Sequence, residues 1–359
     1  MIKQNVKQML VPWPIEGTQD AIPDIPGYEW IKKLPNKKIY FSLFQRWPNA
    51  SLPTGYDYYI VSFHLEAVHI DWLARHQVTG PIIVLFDGQN YNIDIPGVYF
   101  LPFFYWHYQL QKMQEWFGTK EKSTPKYKFS AVCNRISQSK VWTTTKLLET
   151  ARDASLIVLN SWIEEKNVHN WQNTGNDTLD GLTTIFRNKY LGQILKIDDF
   201  DNATQNSQHI TGNPWQPLYI DCAVHFTNES FHYSGMQNND NAYTWPGPFI
   251  TEKTLKCLLA GTAFIPVGQF QTYQTLRNLG IEFEYSFDTS WDNDPGNISR
   301  CHDIIDLIDY LNEFDIDQLI TMTKESNNYN QNYIITGQFY QNCQKQNDET
   351  VEKIILTLQ

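Results

Sequence analysis

The chain has 359 residues, more than one compact core usually holds, so we expect two domains. Hydrophobic residues make up 42% and charged residues 19% of the sequence, which is typical of a globular protein. The net charge of -11 argues against a general nucleic-acid-binding protein, because such proteins need lysines and arginines to neutralise phosphates.

The cysteine pattern and the absence of long apolar runs indicate a cytoplasmic protein. The five cysteines are widely spaced and form no metal-binding pattern with histidine, so we expect reduced, buried thiols. The first ten residues lack the apolar core of a secretory signal. No stretch approaches the roughly 18 apolar residues of a membrane span, so none is predicted.

Short apolar runs alternate with amphipathic segments in the first third of the chain. Continuous apolar strands separated by helices are typical of a parallel sheet covered on both faces. The pattern predicts strands over residues 39–44, 58–63, 81–86 and 98–101, and helices over residues 66–76 and 106–117.

The segment Ser123-Thr124-Pro125 interrupts this alternation, which then starts again. We predict strands over residues 127–132, 156–159, 218–226 and 263–267, and helices over 139–150, 162–171, 251–260, 271–279 and much of 303–359. Residues 173–178, 198–214 and 234–248 are polar loops. The sequence therefore predicts two α/β lobes that meet near residue 120. Ligands of open α/β sheets bind beyond the carboxyl ends of the strands, so we expect the site in a cleft between the lobes.

Thr251, Glu252 and Lys253 stand together at the start of one predicted helix. The threonine can cap the helix, whose free N–H groups favour anions, and the lysine adds a charge suited to phosphate. The glutamate can bind two ribose hydroxyl groups, as acidic residues do in dinucleotide sites. The same spacing also fits a capped surface helix with a solvated Glu–Lys pair, so spacing alone leaves both interpretations open.

A family resemblance favours the phosphate-binding interpretation. Phe249-Ile250-Thr251-Glu252-Lys253, with the apolar continuation to Gly268, resembles the (Y/F)-(V/I)-T-E-K signature of the α1,3-fucosyltransferase family, glycosyltransferase family 10. It is also similar to a segment of phage and bacterial glycosyltransferase-like proteins. Three weaker matches stand upstream in the family's order: residues 85–90 with 99–105, residues 128–135, and residues 225–230, which resemble its "FENS" element.

The resemblance implies a GT-B fold, with two Rossmann-like lobes and a central cleft. Residues 1–122 would form an acceptor-side lobe and residues 123–340 the lobe that binds a nucleotide-diphosphate sugar. Residues 341–359 would form a helix that can cross back to the first lobe. The implied activity is transfer of the sugar to an acceptor hydroxyl group, with the nucleotide sugar as co-substrate and no other cofactor.

The resemblance also implies roles for individual residues. Arg135 and Lys253 would bind the donor diphosphate, Glu252 the ribose, and Glu229 the nucleotide or the donor sugar, with Thr251 in the same donor site. The physical chemistry agrees, because fixed cations stabilise the charge that develops on a leaving diphosphate.

The catalytic base is where the sequence departs from the family. The family's glutamate falls at Gln89, whose amide cannot take up a proton. Asp87 follows a predicted strand and is our candidate base, while Gln89 and Asn90 would line the cleft and orient the acceptor. An Asp-Gly pair is equally a common turn. The remaining candidates for the base are His64, Glu66 and His69.

The bound metal of GT-A glycosyltransferases offers a competing interpretation. Asp-x-Asp triplets occur at residues 199–201, 292–294 and 315–317, but none follows the first sheet as a metal site of that class would. We therefore predict metal-independent, inverting transfer and no metal site.

The acceptor is left open by the sequence. A glycan, a small molecule and a hydroxymethylated DNA base are all compatible with the resemblance, and the DNA base would require base flipping and a local basic groove. Loss of the family's glutamate also leaves open a catalytically inactive protein that binds sugar nucleotides.

Overall fold

The computed structural model describes residues 15–18, 28–34, 37–42, 52–62, 78, 80–86, 95–104, 106–119, 124–133, 136–160, 171, 173–195, 213–228, 248 and 250–358. These residues divide between two compact units. Unit 1 holds the described residues of Met1–Tyr108 and Cys343–Gln359. Unit 2 holds those of Gln109–Ser234 and Pro248–Asn342. The lobe boundaries inferred from the sequence stay predictions.

Unit 1 is built on a five-stranded sheet. The strands stand in chain order, and the first is antiparallel to the second while the others are parallel. They are β1 (Ile15–Thr18), β2 (Lys38–Ser42), β3 (Tyr58–Ser62), β4 (Ile82–Phe86) and β5 (Val98–Pro102).

The core of unit 1 lies on both faces of this sheet. Alternate residues of β4 point to opposite faces, so Ile83 joins one apolar cluster and Val84 the other. The helix Gln338–Leu358 supplies Val351, Ile354 and Leu358 to the cluster around Ile83, at the spacing of one helical face. Both faces of β4 are buried, which explains its uninterrupted apolar sequence.

Polar contacts fix the same helix to the end of the sheet. The backbone N–H of Phe104 donates to Asn347 Oδ1 at 2.9 Å, and Asn347 Nδ2 donates to the carbonyl of Phe104 at 3.2 Å. Thr350 Oγ1 donates to the carbonyl of Pro102 at 2.7 Å. These buried bonds set where the helix lies along unit 1.

Unit 2 is built on a second five-stranded sheet, whose strand order reverses along the chain. The order is β10-β9-β6-β7-β8; β8 is antiparallel to β7 and the other pairs are parallel. The chain passes from β6 to one side and later returns to the other, so β6 and β9 flank a topological switch point. The strands are β6 (Tyr127–Cys133), β7 (Ser155–Asn160), β8 (Ile194–Leu195), β9 (Cys222–Asn228) and β10 (Ala263–Val267).

The helices among the described residues are α1 (Trp106–Phe117), α2 (Gln138–Thr150), α3 (Asp177–Lys189), α4 (Pro217–Ile220), α5 (Glu252–Ala260), α6 (Thr272–Asn278), α7 (Asn297–Asn312), α8 (Ile316–Ile335) and α9 (Gln338–Leu358). α2 packs with α3 and α7, whereas α5 packs with α4 and α8. α2 lies in the crossover from β6 to β7, and α5 lies in the crossover from β9 to β10. These two crossovers lead in opposite directions from the centre of the sheet. Right-handed connections therefore place these two helices on opposite faces.

The predicted α/β fold with parallel sheets is confirmed, with local differences. The strand expected over residues 218–226 begins only at Cys222, because Pro217 starts the short helix α4 instead. The helix expected from residue 303 begins at Asn297. β1, β8 and α3 were not predicted. The helix expected at 66–76 lies outside the described residues, as does nearly all of the one expected at 162–171.

All five cysteines are buried and none of them forms a disulfide, as expected from their spacing. Within the part of the chain that the structure describes, no helix has the length and apolar character needed to cross a membrane.

Candidate functional site

Three helices begin at the carboxyl edge of the unit 2 sheet. α2 follows β6, α5 follows β9 and α6 follows β10, and each runs back against the direction of its parallel strand. The first N–H groups of a helix have no partner within the helix and carry a partial positive charge. Because β6 and β9 flank the switch point, α2 and α5 present these N–H groups beside it.

Thr251 caps the start of α5, as its sequence position predicts. Its backbone is extended, and its hydroxyl oxygen accepts from the N–H of Lys253 at 3.4 Å. The Lys253 ammonium group folds back and donates to the same oxygen at 3.2 Å. Thr251 is buried and Lys253 is half-buried. The helix therefore begins with an ammonium group held at its positive end, an arrangement that favours an anion.

The far end of α5 is fixed by a glycine cap. Gly261 has a φ of 64°, in the left-handed region, and its N–H donates to the carbonyls of Cys257 and Leu258. Gln331 of α8 donates through Nε2 to the carbonyl of Leu259 at 3.1 Å. A methyl group on Gly261 would come within 3.1 Å of the Gln331 side chain. These contacts hold the direction of α5, and therefore the position of its first turn.

A neutral histidine lies in the sheet against α5. His225 of β9 is buried, with its ring 4.9 Å from that of Tyr219 and its Nδ1 2.7 Å from Ser130 Oγ. Burial, together with the nearby charges of Lys256 and Lys253, lowers the pKa of His225 to about 3. The ring of His225 is therefore neutral at neutral pH and adds no charge near α5.

The contact of His225 with Ser130 does not make a nucleophile site. Ser130 Oγ also donates to the carbonyl of Leu218 at 2.6 Å, and it lies 3.0 Å from Cys222 Sγ. Ser130, Cys222 and His225 are all at most 1% exposed, so no substrate reaches them in this conformation. Serine, cysteine and histidine are residue types of hydrolase sites, but here these three side chains are part of the buried core.

Asn228 ends β9 at the switch point and has an unsatisfied oxygen. Its Nδ2 donates to the carbonyl of Val132 in β6 at 2.9 Å. Its Oδ1 is buried without a hydrogen-bond partner in the described part of the chain, and so is Thr227 Oγ1. Leaving a buried acceptor unpaired costs about 1–3 kcal/mol. Such a group at the edge where ligands of this fold class bind is a candidate ligand contact.

The start of α6 already holds an anion, the side chain of Asp292. Asp292 Oδ1 accepts from the N–H of Thr272 at 3.0 Å, and Oδ2 accepts from those of Tyr273 and Gln274 at 2.9 and 3.4 Å. Burial raises the pKa of Asp292 to about 6, while the backbone N–H groups and Arg277 act to lower it. An external phosphate at this helix would have to displace the carboxylate.

Arg300 is fully buried behind the same edge of the sheet. Its Nε donates to the carbonyl of Gly268, just after β10, at 3.2 Å. Its Nη1 donates to the carbonyl of Asp294 at 2.7 Å and its Nη2 to Asn297 Oδ1 at 3.0 Å. Burial lowers the pKa of this guanidinium group. Arg300 thus ties the segment after β10 to the turn that precedes α7.

The described Asp-x-Asp triplets have structural roles. Asp292 caps α6, and Asp294 Oδ1 accepts from the N–H of Gly296 at 2.7 Å. Asp315 caps α8 in a reciprocal arrangement with Gln318. The triplet at residues 199–201 lies outside the described residues. Within the described ranges, no group of three or more histidine, cysteine or acidic side chains could hold a metal ion.

The structure describes only part of the predicted donor site. Thr251 and Lys253 lie together at the start of α5, and Glu252 is its first residue. The other predicted donor, base and acceptor residues lie outside the described residues: His64, Glu66, His69, Asp87, Gln89, Asn90, Arg135 and Glu229. The convergence of Arg135 with Lys253 therefore stays a prediction.

Sequence reasoning overlooked Asn228. It placed the residue within the "FENS"-like element but assigned the ligand role to its neighbour Glu229. The signal that could have found Asn228 is its position as the last residue of a strand at the switch point.

Comparisons with protein families, with curated proteins and with solved structures give no match.

Proposed function

We propose that this protein is a glycosyltransferase of the GT-B type that transfers a sugar from a nucleotide-diphosphate sugar to an acceptor hydroxyl group. The observation that carries the proposal is the first turn of α5. It brings a capped helix N-terminus and the Lys253 ammonium group together at the carboxyl edge of a switched parallel sheet. The sequence of this turn also carries the resemblance to the fucosyltransferase family.

In this proposal the diphosphate binds at the start of α5. The N–H groups of the first turn and Lys253 donate to its oxygens, and Arg135 supplies a second cation. Glu252 binds the ribose hydroxyl groups. Asn228 Oδ1, which has no hydrogen-bond partner among the described residues, lies at the same edge and would accept from a hydroxyl group of the donor.

The proposed reaction is inverting and independent of metal. The acceptor oxygen forms a bond to the anomeric carbon while the bond from that carbon to the diphosphate breaks. Asp87 takes the acceptor proton, and Lys253 and Arg135 stabilise the charge on the leaving diphosphate. Gln89 and Asn90 orient the acceptor.

Binding of nucleotides tests the proposal. We expect UDP or GDP, or a sugar derivative of one of them, to raise the melting temperature of the wild-type protein by mass action. Lys253→Ala should weaken that binding about tenfold to a hundredfold, the effect of losing a charge-assisted hydrogen bond. Lys126→Ala is the matched control, because Lys126 is an exposed lysine next to the opposite, amino end of β6 and pairs with Asp221.

Three outcomes separate the possibilities. Absence of binding to every nucleotide and sugar nucleotide contradicts the proposal. Equal loss of affinity in the Lys253 and Lys126 variants contradicts the site. Binding of a sugar nucleotide without its transfer or hydrolysis identifies a binding protein rather than an enzyme, and Asp87→Asn should then change nothing.

A further inference from the structure

The turn between β10 and α6, residues 268–271, has an unfavourable backbone conformation. Gln271 has a φ of 63°, in the left-handed region that residues with a Cβ rarely adopt. Its N–H donates to the backbone carbonyl of Asp292 at 2.6 Å. Its side chain is exposed, so packing of that side chain does not hold the conformation. Strained residues of this kind persist where surrounding contacts fix them, often at ligand-binding elements.

Two buried ionisable residues hold this turn in place. The Asp292 carboxylate accepts the first N–H groups of α6, directly after Gln271. Arg300 donates to the carbonyl of Gly268 at the other end of the turn. Neither residue is more than 1% exposed. The turn is therefore anchored at both ends by groups that prefer water when they are charged.

The charged and titratable groups around Asp292 come from every element that packs on it. Arg277 and Tyr273 lie on α6, Arg300 on α7, and Asp294 follows in the same segment. Arg277 acts to lower the pKa of Asp292, but burial dominates and raises it to about 6. At neutral pH the closed turn therefore keeps an ionised carboxylate away from water.

The closed turn combines favourable and unfavourable contributions to its free energy. The closed turn gains hydrogen bonds from Asp292 and Arg300 but retains the left-handed Gln271 and two buried charges. An open turn loses those bonds, relaxes Gln271 and hydrates both charges. Opposing contributions of this kind are what a movable element requires.

We propose that residues 268–271 form a movable wall at the carboxyl edge of β10, with Asp292 and Arg300 as the latch that closes it. The latch is inferred from the hydrogen bonds of Asp292 to the first N–H groups of α6 and of Arg300 to the carbonyl of Gly268. That the wall borders a bound nucleotide rests on the proposed function, since α5 also begins at this edge of the sheet.

Hydrogen exchange of the latched amides tests the latch directly. The amides of residues 271–274 donate to Asp292 in the closed turn. The closed state binds the Asp292 proton more tightly than an open, hydrated state, so opening becomes easier as the pH rises from about 4 through about 6. After correction for intrinsic rates, we expect protection to fall about 25-fold between about pH 4.5 and about pH 7.

Variants separate the latch from general stability. Asp292→Asn should abolish this pH dependence, whereas Asp317→Asn, a first-turn residue of α8, should retain it. Gln271→Gly removes the strain and should leave protection equal or higher. The latch is wrong if wild-type protection is independent of pH, if these amides exchange only together with those of β9, or if Gln271→Gly lowers protection.

Repeating the exchange experiment with a nucleotide tests whether residues 268–271 border the nucleotide site. If UDP or GDP binds, we expect the amides of residues 271–274 to become more protected in the wild-type protein. If a nucleotide binds and the protection of these amides is unchanged, residues 268–271 do not border the nucleotide site. If neither nucleotide binds, the proposed function fails, while the pH dependence still decides the latch.

Discussion

At the scale of single residues, Asp292 makes the stability of the protein depend on pH. Its folded-state pKa is raised to about 6, so its contribution to the free energy of unfolding is present below about pH 4 and is lost as the pH rises through about 6. We compare the unfolding free energy of the wild-type protein with that of Asp292→Asn. We predict that the difference, wild type minus variant, falls by about 2 kcal/mol between about pH 4.5 and about pH 7. Urea unfolding of both proteins at several pH values measures this difference.

The comparison of the two proteins removes the pH dependence of all other groups. A difference that is constant with pH would show that Asp292 titrates at its ordinary pKa, because the three backbone N–H groups then balance the effect of its burial.

Some residues of the site could be predicted from sequence, and others could not. Thr251 follows a loop and precedes an amphipathic segment, so local spacing alone identifies it as a cap. The orientation of the Asn228 amide depends on Val132, about a hundred residues away in a neighbouring strand, and it leaves Oδ1 without a partner among the described residues. Arg300 lies before the helical stretch predicted from residue 303 and was not singled out, because nothing local shows that its guanidinium group reaches Gly268.

At the scale of elements, the contact between the end of α6 and α8 is tightly fitted. Gly280 has a φ of 89°, and a Cβ there would lie 2.5 Å from the hydroxyl oxygen of Tyr333. We predict that Gly280→Ala destabilises the protein by about 1–3 kcal/mol, through the left-handed backbone and the collision. Chemical denaturation measures the loss.

Gly337→Ala is the control for this prediction. Gly337 has a similar φ of 82°, but a Cβ there meets no atom within 4 Å. Its loss of stability should therefore be the smaller of the two. Equal losses would mean that Tyr333 moves aside freely and that the backbone accounts for the whole effect.

The strands that sequence predicted best are those buried on both faces. β4 and β10 are apolar at nearly every position because helices or loops cover both sides of the sheet. β1 and β8 were missed because edge strands of four and two residues leave no periodic pattern. α3 was missed because Gly181 and several threonines weaken its helical signal, although Asn176 caps it.

At the scale of the whole molecule, α9 joins distant parts of the chain within unit 1. The Asn347 amide pairs with both backbone groups of Phe104 and is 2% exposed. We predict that Asn347→Ala costs about 2–4 kcal/mol, because it leaves a buried N–H and a buried carbonyl unpaired. Glu349→Ala on the exposed face of α9 should cost less than about 0.5 kcal/mol.

Urea unfolding checks this pair of variants. Similar, small losses in both would show that water replaces the amide and that apolar packing alone holds α9. The presence of this helix could be predicted from its sequence pattern. Its packing against the first sheet could not, because an apolar stripe does not specify its partner.

The place of α9 in unit 1 has a consequence for synthesis of the chain. Phe104 and Asn347 are 243 positions apart, so a ribosome working at roughly 5–20 residues per second needs on the order of ten seconds or more between them. During that interval the apolar face containing Phe41, Ile60 and Ile83 lacks the helix that covers it. The sheet that is made first therefore completes its core last, and its apolar face is open to aggregation until residues 343–358 have emerged.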